Sequence, residues 1–210
     1  MTISSIAFPS ARPLSYTDEL RPLLKTGDLL LCSGTSLFSE LIQQATHSPW
    51  SHVGLIVRVD AIDRIMLFES VETHGVRTLP LSRYLLDYDQ QGNPYPGGLA
   101  VVRHRGFAKV GAQPQVQAML QFAVDQFGSA YDSQDIVRIA ARVLGSHLTP
   151  QALLAKDSDA QRAFICSEYV AQCYARAGVR LEPQAHSYVT PADFAHPSDV
   201  VLIGVMKAQS

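Results

Sequence analysis

Two apolar runs, His52–Val59 and Ile65–Val71, stand on either side of the turn-like Asp60–Arg64. Each has the length and β-branched content of a strand. A connection this short joins two strands only as an antiparallel hairpin, because a parallel pair needs a crossover of roughly a dozen residues or more. The rest of the chain must be built around that hairpin. Upstream, Gly27-Asp28 punctuates the approach to Leu29-Leu30-Leu31-Cys32, an unbroken apolar run that reads as a buried strand. Ser36–Thr46 places Leu37, Phe38, Leu41, Ile42 and Ala45 at helical spacing, with Ser36 as N-cap and Glu40 in the first turn. A short strand over 75–80, a short helix over Leu81–Asp87, a polar loop over 89–98 and a strand over Leu99–His104 complete the first half.

The second half reads differently. Gln115–Phe127 carries Val116, Met119, Leu120, Ala123 and Phe127 on one helical face and meets Gly128 at its end. Asp135–Leu144 and Pro150–Ala163 repeat the helical pattern, and Cys166–Ala177 is stopped by Gly178. Val200–Met206 reads as a closing strand. Strands first and helices later predict an α+β fold with an antiparallel sheet. A chain of 210 residues, 47% of them apolar, suits one globular domain, expected over 27–210. The Pro-dotted stretch 1–26 is expected as an N-terminal arm, with Thr17–Leu24 able to form a helical turn or two.

The formal net charge is −2 and no Lys/Arg cluster stands out, so neither nucleic acid nor an anionic membrane surface is an expected partner. No apolar run approaches the ~18 residues that span a bilayer. Met1–Pro13 lacks the basic and apolar regions of a signal peptide. The three cysteines, Cys32, Cys166 and Cys173, are odd in number and include no C-x-x-C pair, which argues against a disulfide framework or a zinc ribbon. A reducing, cytoplasmic setting with free thiols is the expectation. His47, His52, Glu69 and His74 lack the His-x-x-x-His or His-Glu-x-x-His spacing of a zinc site, so no metal and no cofactor is expected.

The chemistry-bearing residues are Cys166 and His52. Apolar positions follow Cys166 at Val170, Cys173, Tyr174 and Ala177, so the thiol sits on the core-facing side of a first helical turn. There it feels the positive end of the helix dipole, which favours a nucleophilic thiolate, and the open backbone amides of the same turn can serve an oxyanion. Cys32 and Cys173 read as core. His52 opens an apolar strand, an unusual place for a titratable side chain unless it moves protons. Glu69 ends an apolar run, where a carboxylate needs a partner. Hairpin register decides whether it meets His52. A loop of two or four residues puts both on one face, and a loop of three or five offers Ser70 or Glu72 instead.

Several segments stand in order: Gly27-Asp28-Leu29-Leu30, Ser51-His52-Val53-Gly54-Leu55, Phe68-Glu69-Ser70, Gly128-Ser129-Ala130-Tyr131-Asp132, Ile165-Cys166-Ser167-Glu168-Tyr169-Val170 and Thr190-Pro191-Ala192-Asp193-Phe194. The set resembles the YiiX/YebB-like group of permuted NlpC-type proteins, a papain-fold superfamily. The histidine motif precedes the cysteine motif, the reverse of the usual papain order, as a circular permutation requires. The resemblance implies a small antiparallel sheet packed against helices, with Cys166 as nucleophile, His52 as base and Glu69 as the polar third residue. It places oxyanion or substrate contacts near Asp28, Trp50, Ser51 and Tyr131. It also implies a hydrolase or acyltransferase whose substrate is a small molecule, a peptide or a lipid-acyl group. Ser146–Ala163 reads as an insertion before the cysteine helix. The alternative is a non-catalytic binding module on the same fold.

Overall fold

The computed structural model describes residues 11–110, 113–131, 165–181 and 189–206. The helices expected over Asp135–Leu144 and Pro150–Ala163, the insertion and Asp132 lie outside them. Seven strands lie among the described residues: β1 Pro13–Leu14, β2 Asp28–Ser33, β3 His52–Val59, β4 Arg64–Val71, β5 Gly75–Pro80, β6 Gly98–His104 and β7 Val200–Met206. The described helices are α1 Leu37–Thr46, α2 Leu81–Leu86, α3 Arg105–Ala108, α4 Gln113–Asp125 and α5 Cys166–Arg176. The fold is α+β, and the sheet runs β1-β7-β6-β2-β3-β4-β5. It is larger than the small sheet expected, and one pairing, β1 with β7, is parallel. The arm expected over 1–26 is docked from Pro13 onward, because Leu20 and Leu24 are buried in the core and β1 extends the sheet.

Side-chain alternation sorts the core into two layers. Leu29, Leu31, Val53, Leu55, Val57, Ala100 and Val102 face α4 and α5. Leu30, Cys32, Ile56, Leu67 and Val101 face Leu20, Leu24 and α2. The unbroken apolar run in β2 is thereby explained, since this strand is buried along its whole length and on both faces. Ser36 caps α1 as its sequence suggests, its hydroxyl accepting from the Ser39 amide.

Three hydrogen bonds fix α5 to separate parts of the molecule. Tyr169 Oη donates to the Ala123 carbonyl at 2.9 Å, Tyr174 Oη to the Gly27 carbonyl at 2.6 Å, and Ser167 Oγ to the Val189 carbonyl at 2.7 Å. The segment Thr190–Phe194 forms a capping box between Thr190 and Asp193, and Phe194 is fully buried beside Tyr174. Its contribution is therefore structural.

Gly27 has φ +93° and a Cβ there would overlap the Phe107 ring. Gly27→Ala combines a disfavoured backbone with overpacking. It is expected to lower unfolding stability by about 1–3 kcal/mol in urea titrations, unlike the open Gly92 position, where only the backbone term applies.

Candidate active site

The β3–β4 ladder runs from Val59 opposite Arg64 to Leu55 opposite Phe68. The connection is thus the four residues Asp60 to Asp63, an even count, so His52 and Glu69 share a face. Beyond Leu55 and Phe68, β3 keeps its pairing with β2, through Cys32 opposite His52, and β4 keeps its pairing with β5, through Glu69 opposite Arg77. The two central strands end their shared ladder just short of the functional side chains. α5 packs across β3 and β4, bringing Cys166 to His52 from the other side of the sheet.

Glu69 is fully buried and carries four donors. Oε2 accepts from His52 Nε2 at 2.9 Å and from Tyr84 Oη at 2.5 Å. Oε1 accepts from Arg77 Nε and Nη2, both at 2.8 Å. Burial alone would raise the carboxyl pKa, but the bonds and charges from His52 and Arg77, with the Tyr84 phenol, outweigh it and hold the group below its ordinary 4.5. An ionised carboxylate only accepts, so His52 Nε2 carries the proton and Nδ1 is left for Cys166. For His52, burial works to lower the pKa, but charge and hydrogen bonding from the Cys166 sulfur and from Glu69 push it up to about 10. Both neighbours of the ring thus favour its protonated form.

Cys166 is the first residue of α5 and only 5% exposed. Ile165, at the N-cap, supplies no capping side chain to the first turn. His52, Cys166, Ser51 and Tyr131 line one cleft. Tyr131 arrives there because Gly128 and Ser129 hydrogen-bond to both sides of Val76 on β5. Ser51 Oγ is occupied within the framework, accepting from the Gly34 amide at 3.0 Å and donating to the Cys32 carbonyl at 3.3 Å.

Two expected contacts lie elsewhere. Asp28 is buried, accepts from Arg103 Nε at 2.6 Å and Nη2 at 2.8 Å and from the Lys25 amide, and does not line the cleft. A carboxylate saturated in this way has no donor for an oxyanion. Trp50 is buried in the core layer beneath α5 and is also absent from the cleft wall, because an indole of that size fills the interior next to the strand start. Ser70 and Glu72 reach the cleft, while Glu69 is the residue bonded to His52. His47 is exposed at the end of α1 and His74 in the β4–β5 turn. Among the described residues, no group of three or more His, Cys, Asp and Glu side chains could hold a metal ion.

Sequence reasoning missed Arg77, Tyr84, Tyr88 and Tyr95. Arg77 is signalled only by strand register, as the cross-strand neighbour of Glu69. The tyrosines stack into one wall of the cleft, with Tyr88 and Tyr95 ring centroids 4.9 Å apart and Tyr84 and Tyr95 5.4 Å apart.

Residues 23–142 match the family described as "Permuted papain-like amidase enzyme, YaeF/YiiX, C92 family". That span contains His52 and Glu69, and Cys166 lies beyond it. The chain is also similar to the crystal structure of the metalloprotein YiiX from Escherichia coli O157:H7, with a TM-score of 0.56 and 21% identity over 88% of this chain and 97% of the other. This likeness carries the fold alone. No curated protein matches the chain. No described helix is long and apolar enough to cross a membrane.

Proposed function

Because the chain belongs to the permuted papain-like amidase family, we propose that it is a thiol-dependent hydrolase or acyltransferase acting on an amide or ester through a Cys166 thioester. The observation that supports this reading is the single imidazole held between a buried carboxylate and a helix-start thiol. His52 Nδ1 holds the thiol proton while Cys166 Sγ attacks the carbonyl carbon, forming a C–S bond. The carbonyl oxygen takes the negative charge beside the Cys166 amide. The C–N or C–O bond then breaks, and the leaving group takes the proton from His52. Water or another acceptor attacks the thioester, gives its proton to Nδ1, and the C–S bond breaks to restore the thiol. Glu69 keeps Nε2 protonated and the ring oriented throughout. The described donor set does not fit a metal, since His52 Nε2 and both Glu69 oxygens are already engaged, and no step is routed through one. Substrates of the proposed class are peptides, small amides or lipid-acyl esters.

The test is acyl trapping. Wild-type protein treated with 4-nitrophenyl acetate is expected to gain one acetyl group on the Cys166 peptide, removable by hydroxylamine, as read by peptide mass mapping. Burial pushes the Cys173 thiol up to about 12 and Cys32 well above its ordinary value, so neither competes. Acetylation confined to lysines, or spread equally over the three thiols, would leave the hydrolase reading without support.

A further inference from the structure

We infer that Tyr95 is a substrate-contacting residue whose hydroxyl donates a hydrogen bond to the carbonyl oxygen of the acyl group passed to Cys166. The inference rests on the thiol-hydrolase reading and adds to it a side-chain donor from the loop between α2 and β6. Tyr95 is only 8% exposed, yet its hydroxyl makes no hydrogen bond among the described residues. Its neighbour Tyr84 differs, since that hydroxyl is spent on Glu69. Every fully enclosed side-chain nitrogen or oxygen among the described residues has a partner. The Tyr95 oxygen must therefore be open to something, and the space it borders is the cleft it shares with Cys166 and His52.

The position is built rather than incidental. The Tyr95 amide donates to the Tyr84 carbonyl at 2.7 Å, and its ring is held by Tyr84 and Tyr88. Gly34 makes room for the hydroxyl, because a Cβ there would lie 2.8 Å from Tyr95 Oη. Burial raises the phenol pKa and keeps the proton in place, so the group is a donor at every working pH. No bond to a described residue has to be broken for the hydroxyl to meet a ligand in the cleft. A carbonyl oxygen bound in the cleft would supply the partner, and the bond would strengthen as charge builds on that oxygen.

Tyr95→Phe removes only the hydroxyl and keeps the ring stack. Two rates are compared in wild type and variant: acetylation of Cys166 by 4-nitrophenyl acetate, and thiolation of Cys166 by methyl methanethiosulfonate, a probe with no carbonyl. Acetylation is expected to slow by about 10–100-fold, with thiolation unchanged within a factor of about two. Equal acetylation rates, or an equal fall in both reactions, would overturn the role of Tyr95 and leave the nucleophile intact. Failure of the wild-type protein to acetylate at Cys166 would overturn both.

Discussion

Cys166→Ala is expected to abolish formation of the acyl-protein, and His52→Ala to slow it by about 10²–10⁴-fold. The first variant removes the only thiol among the described residues that lies against an imidazole, and no bystander replaces it. Cys32 and Cys173 are fully buried, and burial keeps both protonated. The second variant keeps the sulfur and the helix start but removes the group that holds the transferred proton. Stopped-flow release of 4-nitrophenolate reads both effects directly. The loss in His52→Ala should shrink as pH rises, because hydroxide takes over part of the deprotonation that the ring performed. Equal rates in all three proteins would show that acylation happens elsewhere.

Glu69→Ala is expected to cost about 3–5 kcal/mol of stability. The substitution strands two cationic neighbours and the buried Tyr84 hydroxyl around an empty space. Glu69→Gln keeps the shape and one acceptor oxygen, so its loss should be smaller, about 1–3 kcal/mol. Urea unfolding with a common slope separates the two. The same cluster sets a pH signature. His52 is raised from its ordinary 6.5 to about 10, so its stabilising contribution is complete below about pH 6.5 and is lost as pH climbs toward 10. Glu69 is lowered below its ordinary 4.5, so its contribution is complete above that value and is lost under more acid conditions. The melting temperature should therefore fall on the alkaline side in wild type, and this component should be missing from His52→Gln.

Most strands were legible in the sequence to within a residue, because their cores are buried on one or both faces and carry few polar interruptions. β3 and β7 match their expected limits, and β2, β4 and β6 begin one residue earlier. Pattern alone left the partner of His52 open among Glu69, Ser70 and Glu72, since it depended on whether the connection after Val59 held an even or odd number of residues, and only the family resemblance pointed to Glu69. Arg77 and Tyr84 were invisible for the same reason, as their meaning comes from strand pairing and from a helix docked on the opposite layer. Asp28 misled because its partner, Arg103, is adjacent only across the β2–β6 pairing. Nothing local distinguishes a carboxylate that waits for a substrate from one already neutralised by a distant strand.

The three tyrosine and serine tethers of α5 have a consequence for chain topology. The nucleophile is moored to the α4 helix, to the turn before β2 and to the loop ahead of the closing strand. These moorings come from parts of the chain far from the nucleophile in sequence. Segments can then be spliced in a different order, with the base encoded before the nucleophile, while the sulfur and the imidazole keep the same meeting point in space.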